Sequence, residues 1–480
     1  MSRTGLALAA LTVLGGALRF ATLDLQSFDF DEAVTVGPVL GGSFDQMLDA
    51  IPGTESTPPL YYVLAWLWKQ PFGLGEMGTR SLAALFGTAL IPVAYGAARA
   101  LAGSRAGLIA AALVAVNAQL LFYSQEARAY ALLALLTTLS FWAFVVARRE
   151  TGVQGLVLWA LASAAALLTH YFAAFVVIPE ALLLLLWRRP LRPVLLACAG
   201  VAAVGAALVP LAVSQADGRT DWISDFSLGE RLRGAVKMSL TGEYDPTSNL
   251  QLLALALVLA AGVVVGLRRA DGPEREGTFL ALGLSAAVLA VPLAIDVFGR
   301  EILTAKNLLP AVPLASIGFG CALGARGAGA VGVATAAVVT AGCLAITVAV
   351  LAEPRLHRPD YRGIAEALGD AAPGAAVLTP YHGSEPLLRY EPGAVPAPPD
   401  AAASELEVVI PLTRGDTDGP ARPMTPPPPP GFAPAERGEH ATFTRFRYGA
   451  TGEPVPVSAA SLAPLAPATP TFPPQLLVWP

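Results

Sequence analysis

The sequence predicts an all-α polytopic membrane protein of about eleven transmembrane helices, followed by a small outer α/β region toward the carboxy terminus. Three observations carry that prediction. Of 480 residues, 54% are hydrophobic and only 14% are charged, whereas soluble domains run to about 25% charged. Several charge-free stretches reach the roughly 17 to 25 residues that a helix needs to cross about 30 Å of hydrocarbon. Short arginine-bearing connections recur between alternate pairs of these stretches.

The first apolar run follows Arg3, contains Arg19 and lacks a small-x-small cleavage site, so it reads as an uncleaved span rather than a secretory signal. Spans are expected near 5–23, 80–98, 106–122, 130–147, 153–169, 171–187, 193–213, 250–267, 278–297, 308–325 and 328–351. Arg99 and Arg105, Arg148 and Arg149, Arg188, Arg189 and Arg192, Arg268, Arg269 and Arg275, and Arg326 then fall on one side by parity. The positive-inside rule assigns that side, with the amino terminus, to the cytoplasm of a cell (plasma or inner) membrane protein. The remaining connections face outward: a long first loop at 24–79, turns at 123–129 and His170, loops at 214–249 and 298–307, and everything from 352.

Two domains follow, a membrane domain at 1–351 and an extracytoplasmic region at 352–480. Proline and alanine fill the latter, and Pro426 to Pro430 is linker-like. A helix-like 360–369 nevertheless precedes strand patterns at 376–379, 406–411 and 442–448. A net charge of -5 without a basic block argues against a nucleic-acid partner. Cys198, Cys321 and Cys343 all lie in apolar runs, which disfavours a disulfide framework or a zinc site.

The ionisable residues gather on the outward side. Ser27 to Thr35 reads SFDFDEAVT, placing Asp29, Asp31 and Glu32 directly after the first span. A solvated acidic turn is the bland reading. The rest of the loop favours a site: Glu55-Ser56-Thr57-Pro58-Pro59-Leu60-Tyr61-Tyr62 leads into an aromatic stretch too short to span, expected as an interfacial helix over 58–70. Reading that stretch as a span would invert every later loop. Tyr123 to Leu132, YSQEARAYAL, brings Glu126, Arg128 and Tyr130 to an outer mouth, where a carboxylate and a guanidinium demand pairing. His170-Tyr171 ends the fifth span, and Glu180 is an acid deep in the sixth. For these the structural alternatives are a cap and a hydrogen-bonded core group. Arg300, Lys306 and Asn307 close the group, with interfacial anchoring as their ordinary role.

DEAVT, TPPLYY followed by Arg80-Ser81, QEARAYAL and KNLLPAVP at 306–313 occur in an order that resembles the GT-C fold glycosyltransferases. The likeness is to glycosyltransferase family 39, which includes the protein mannosyltransferases and aminoarabinose transferases. It covers roughly 5–365, including Pro359-Asp360-Tyr361-Arg362-Gly363. The resemblance implies an inverting glycosyltransferase that takes a mannose-like sugar or pentose from a polyprenyl-phosphate donor to a glycan, lipid or protein acceptor outside the membrane. It also implies that Asp31 is the base, supported by Glu32, with Glu126 as the second acid. Arg128, Lys306 and Arg80 would hold the donor phosphate, and Glu55, Tyr61, Tyr130, His170 and Tyr171 would line the substrate. No cofactor is required, although outer carboxylates leave room for a divalent metal, and no ligand spacing demands one.

Two departures qualify the likeness. Ser56-Thr57 precede the prolines where aminoarabinose transferases carry Glu-Lys, which favours the mannosyltransferase-like branch. Lys306 stands where many relatives have arginine, so charge is kept and bidentate geometry lost. A lipid transporter or flippase is the alternative class. It would place polar sites on broken helices at the midplane, whereas here only Glu180 lies deep. An inactive assembly protein of the same fold is opposed by the presence of Asp31, Glu126 and Arg128.

Overall fold

The computed structural model describes residues 2–150, 152–216, 221–243, 247–299, 301–380, 382–412, 424–434, 436–466 and 473–480. Arg300, noted above, lies outside them. The chain forms two compact units: Met1–Leu23 with Val39–Ala349, and Asp24–Pro38 with Val350–Pro480. Residues 24–38, read from sequence as part of the membrane domain's first loop, thus group with the carboxy-terminal region.

The first unit is a bundle of apolar helices. Among the described residues, Arg3–Phe20, Glu76–Ala102, Tyr130–Arg149, Leu191–Ser214, Asn249–Arg269, Gly272–Val297 and Arg326–Ala352 are long and apolar enough to cross a membrane. Every expected span falls on a helix, but Gln154–Thr169, Tyr171–Trp187 and Ala311–Gly324 are shorter than the rest. The protein is therefore a multi-pass membrane protein; among the described residues seven helices, or eight with one bent pair, are long and apolar enough to cross, against the about eleven expected.

The span expected at 106–122 is broken. Ser104–Val116 and Ala118–Ser124 meet at an angle of 60°. Asn117 makes the break: its backbone is extended and its side chain caps the second piece by accepting from Leu120 N. A break strands carbonyls that hydrocarbon cannot solvate. Arg19, in the first helix, donates to the carbonyls of Ala115 at 3.0 Å and Val114 at 3.1 Å, and Thr347 donates to Val116 at 3.1 Å. Arg19 also holds Ser124 Oγ at 3.2 Å. Gly87 leaves room for this arrangement, since a Cβ there would collide with Ser124 and crowd the Arg19 guanidinium.

Glu180 is fully buried, and its Oε2 accepts from Trp159 Nε1 at 2.9 Å and from Ser140 Oγ. Ser140 in turn meets Ser163 at 3.0 Å. The deep acid is thus a node joining the helices Tyr130–Arg149, Gln154–Thr169 and Ala174–Trp187.

The second unit is mixed. Its strands are β1 (Ala375–Thr379), β2 (Val395–Pro396), β3 (Ala402–Ala403), β4 (Glu405–Pro411), β5 (Glu436–Glu439), β6 (Phe443–Gly449), β7 (Val455–Pro456) and β8 (Gln475–Val478). Six form a sheet in the order β2-β8-β1-β4-β6-β5, with β1 and β4 parallel, while β3 and β7 pair separately. Alternation gives the sheet two apolar faces. Leu378, Leu406, Val408, Phe446 and Tyr448 fill one, while Val377, Val409, Phe443 and Leu477 pack with Tyr361 and Ile364 on the other. The expected helix is Tyr361–Leu368, and β1, β4 and β6 are the expected strands.

Replacing Glu180 with Gln keeps an acceptor for Trp159. Thermal unfolding of the purified chain is expected to change little for Glu180→Gln and to lose about 1 to 3 kcal/mol for Glu180→Ala, which strands the indole N–H. A Glu180→Gln protein as damaged as the alanine variant would contradict a purely hydrogen-bonding role.

Candidate active site

The residues singled out from sequence fall into two clusters, one in each unit. In the membrane unit, the chain leaves the helix Phe44–Thr54 in an extended conformation at Glu55, and Pro58-Pro59 keep it from coiling before the helix Leu60–Phe72 begins. This presents Glu55 to Arg128 at 2.6 Å, with the Glu55 side chain fully enclosed and that of Arg128 only 10% exposed. Tyr62 donates its single phenolic proton to Glu55 Oε2 at 2.7 Å, so Thr57 Oγ1, also 2.7 Å away, donates to the phenol oxygen. Burial and the Glu55 carboxylate raise the Tyr62 pKa further, keeping it a donor.

Gln125, the first residue of QEARAYAL, donates to the carbonyls of Leu18 at 3.3 Å and Arg19 at 3.0 Å and to Thr22 Oγ1 at 2.6 Å. It satisfies the carboxy-terminal end of the first helix and fixes the turn that carries Glu126 and Arg128. Glu126 is buried, and its carbonyl accepts from Arg128 N at 2.7 Å. Glu55 pairs with Arg128, a partnership that spacing in the sequence did not reveal.

His170 caps the turn Tyr171–Ala173 by accepting from Phe172 N on Nδ1 at 3.2 Å, which leaves its proton on Nε2. Burial, then the charges of Arg128 and Lys306, push its pKa down to about 3. The imidazole is therefore neutral, and two of the expected phosphate-binding cations converge electrostatically on it. Tyr130 lies 5.7 Å from the His170 ring and 4.9 Å from Tyr123, centroid to centroid. Tyr171 donates to Gln215 Oε1 at 2.7 Å, while Gln215 Nε2 reaches the carbonyls of Ile51 at 3.2 Å and Thr57 at 3.3 Å. Tyr61 is fully buried with its ring edge-on to Tyr62. Arg80 is almost wholly buried and donates to the Leu23 carbonyl at 2.9 Å, tying the end of the first span to the helix Glu76–Ala102. Gln215, Tyr62 and Thr57 were not singled out from sequence. The last two sit in the quoted motif, while Gln215 has no motif to mark it.

In the mixed unit the acidic loop folds into a short helix, Phe30–Val34. Asp29 accepts from Glu32 N at 3.0 Å and Glu32 accepts from Asp29 N at 3.4 Å, a capping box. Arg358 faces both carboxylates, 3.4 Å from Asp29 and 3.8 Å from Glu32. Burial raises the Asp29 pKa; Arg358 opposes the shift, while Glu32 and Asp31 add to it. Glu32 thus serves the cap and faces Arg358, and half-buried Asp31 is the carboxylate of the three whose side chain is not part of the capping box. Among the described residues, no three His, Cys, Asp or Glu side chains gather as a metal site. With Asp29 and Glu32 engaged by the cap and by Arg358, these residues do not fit a divalent ion.

Residues 56–214 match the family described as dolichyl-phosphate-mannose-protein mannosyltransferase. The matched stretch includes Tyr61, Arg80, Glu126, Arg128, Tyr130, His170 and Tyr171; it begins after Asp31 and Glu55 and ends before Lys306. The resemblance read from the motifs is borne out. No curated protein sequence matches the chain. Among solved structures, the chain is similar to the oligosaccharyltransferase of Archaeoglobus fulgidus in complex with Zn and sulfate, at 15% identity and a TM-score of 0.45 over 77% of this chain and 56% of that one. The chain thus spans little more than half of the archaeal protein. It is also similar to the Saccharomyces cerevisiae protein O-mannosyltransferase Pmt1-Pmt2 complex bound to the sugar donor, at 18% identity and a TM-score of 0.36 over 43% of this chain and 33% of that one. ArnT from Cupriavidus metallidurans bound to undecaprenyl phosphate aligns at 13% identity and a TM-score of 0.39, covering 98% of this chain and 100% of that one.

A buried pair of this kind resists the loss of either member. Glu55→Ala and Arg128→Ala are each expected to destabilise the purified chain by about 3 to 5 kcal/mol. A double-mutant cycle on thermal unfolding is expected to give a coupling energy above about 0.5 kcal/mol, and additive losses would contradict the pairing.

Proposed function

We propose that the protein is an inverting glycosyltransferase that moves a sugar from a polyprenyl-phosphate carrier to an acceptor on the extracytoplasmic face of the membrane. The observation that carries this reading is the family match over 56–214, which encloses the Arg128 turn and His170. The family's described donor is a dolichyl-phosphate mannose, and the absence of a glycine-rich phosphate loop agrees with a lipid-borne rather than a nucleotide-borne sugar. A mannose-like hexose is favoured by Ser56-Thr57 before the prolines, with a pentose as the alternative.

The chemistry needs three things. A carboxylate takes the proton from the acceptor hydroxyl as its oxygen attacks the anomeric carbon; Asp31 is assigned this role. The bond from that carbon to the phosphate oxygen breaks with its electrons on the oxygen, and the polyprenyl phosphate leaves. Cations stabilise the growing charge, and Arg128 and Lys306 are assigned to it. Arg128 comes to this task with one nitrogen on Glu55, which fixes its plane. Neutral His170 can offer its Nε2 proton as a donor. Arg80, engaged with the Leu23 carbonyl, is assigned a supporting role in holding the first span. Glu126, on the same turn as Arg128, is assigned to orienting the acceptor. The charge pattern of the loops supports a cytoplasmic amino terminus.

Asp31→Asn is the direct test. The purified full chain is incubated with radiolabelled polyprenyl-phosphate sugars and a membrane extract as acceptor source. The variant is expected to insert and melt like the wild type and to lose turnover by at least about 100-fold. Wild-type turnover in a folded Asp31→Asn protein would refute the base assignment.

A further inference from the structure

The helix that bears Asp31 has only five residues, Phe30–Val34, far too few to hold itself. Its attachments run to one distant segment of the same unit. Ser27 Oγ donates to the Pro359 carbonyl at 2.8 Å and accepts from Tyr361 N at 3.0 Å. Phe28 N donates to Tyr390 Oη at 2.7 Å. Asp29 and Glu32, the residues on either side of Asp31 in the capping box, both face the guanidinium of Arg358. Arg358 is 3% exposed and Glu32 is fully buried, so water screens this pair little, whereas the Asp29 side chain is 24% exposed. Three carboxylates within four residues repel one another. A single buried cation placed against two of them offsets that repulsion.

We propose that Arg358 is a positioning residue for Asp31, acting through Asp29 and Glu32, so that residues 358–390 set the orientation of the catalytic acid. This rests on the assignment of Asp31 as the base. Arg358 belongs to no motif that carried the family resemblance, and it lies outside the matched segment 56–214. Its role follows from geometry. The guanidinium spans two carboxylates at once, which an ammonium on a flexible stem reproduces only in charge. Losing it leaves the capping box with a buried anion, Glu32, beside the partly exposed anion of Asp29, and the helix then relieves the repulsion by rotating or fraying, which moves Asp31 from the acceptor hydroxyl. A displacement on the order of 1 Å costs a reaction of this kind about 100-fold.

The test compares Arg358→Gln, Arg358→Lys and Tyr390→Phe in the full chain in nanodiscs, with kcat, donor KM and thermal unfolding measured for each. Arg358→Gln is expected to lower kcat by about 10- to 100-fold with donor KM within about twofold of wild type. Arg358→Lys is expected to recover part of that loss, and Tyr390→Phe to lower kcat by a smaller factor at unchanged donor KM. Wild-type kcat in a folded Arg358→Gln protein would overturn the proposal, as would parallel losses in kcat, donor KM and unfolding temperature that lysine does not relieve. Where the glutamine variant does not fold, Arg358→Lys and Tyr390→Phe decide: unchanged kcat in both overturns the proposal, and reduced kcat at constant KM supports it. Asp31→Asn in the same assay separates the two layers. An active Asp31→Asn removes the base itself, whereas an inactive one beside a normal Arg358→Gln removes only the clamp.

Discussion

A helix that stops inside a bilayer must find partners for the carbonyls it abandons, and much of the membrane unit is arranged around one such stop. Asn117 breaks the chain between Ser104–Val116 and Ala118–Ser124, and Arg19 reaches from the first helix to take the released oxygens. An arginine in an apolar span is costly unless every donor is used. Here its donors go to Gly15, Val114, Ala115 and Ser124. The same junction delivers the turn at 125–129, because Gln125 completes the end of the first helix. The place of Arg128 therefore depends on the first span as much as on its own motif.

From that turn outward, charge is handled by pairing. Arg128 takes Glu55, Arg358 takes Asp29 and Glu32, and Arg231 takes Asp296 at 2.6 Å and Glu301 at 2.8 Å. Each pair joins segments distant in sequence and holds a loop that hydrophobic packing alone would leave loose. Such pairs are poor sources of stability but good sources of definition, since a misplaced partner leaves charge buried. For a reaction that needs one carboxylate and two cations in fixed attitudes, definition is what matters.

The spans were legible because length and absence of charge report directly on the membrane, β1 and β4 because short apolar runs mark buried strands, and β6 because its aromatic residues alternate with polar ones. The break at Asn117 was not, since a single polar residue in an apolar run reads equally well as a tolerated neighbour. β8 and the two-residue strands escaped notice for want of length, and Pro396 and Pro456 disguise two of them. At the site, the motifs exposed Asp31, Glu126 and Arg128, yet neither the Glu55 to Arg128 pair nor Arg358 was visible. Both depend on long-range folding: Glu55 was read for its own motif, and Arg358 stands just before the quoted PDYRG segment. Residue type alone does not rank the three carboxylates; the resemblance singled out Asp31, and the capping box adds that the side chains of Asp29 and Glu32, not that of Asp31, cap the short helix.

The account turns on chemistry rather than transport, and a reconstituted system measures the two together. The purified chain, placed in liposomes with a panel of radiolabelled polyprenyl-phosphate sugars and acceptor extract, is followed both for cleavage of the sugar-phosphate bond and for movement of label between leaflets. The account predicts that one donor is cleaved to free polyprenyl phosphate, with the sugar appearing on an acceptor in the opposite anomeric configuration. Intact donors crossing the bilayer with no cleavage of any member of the panel would contradict it.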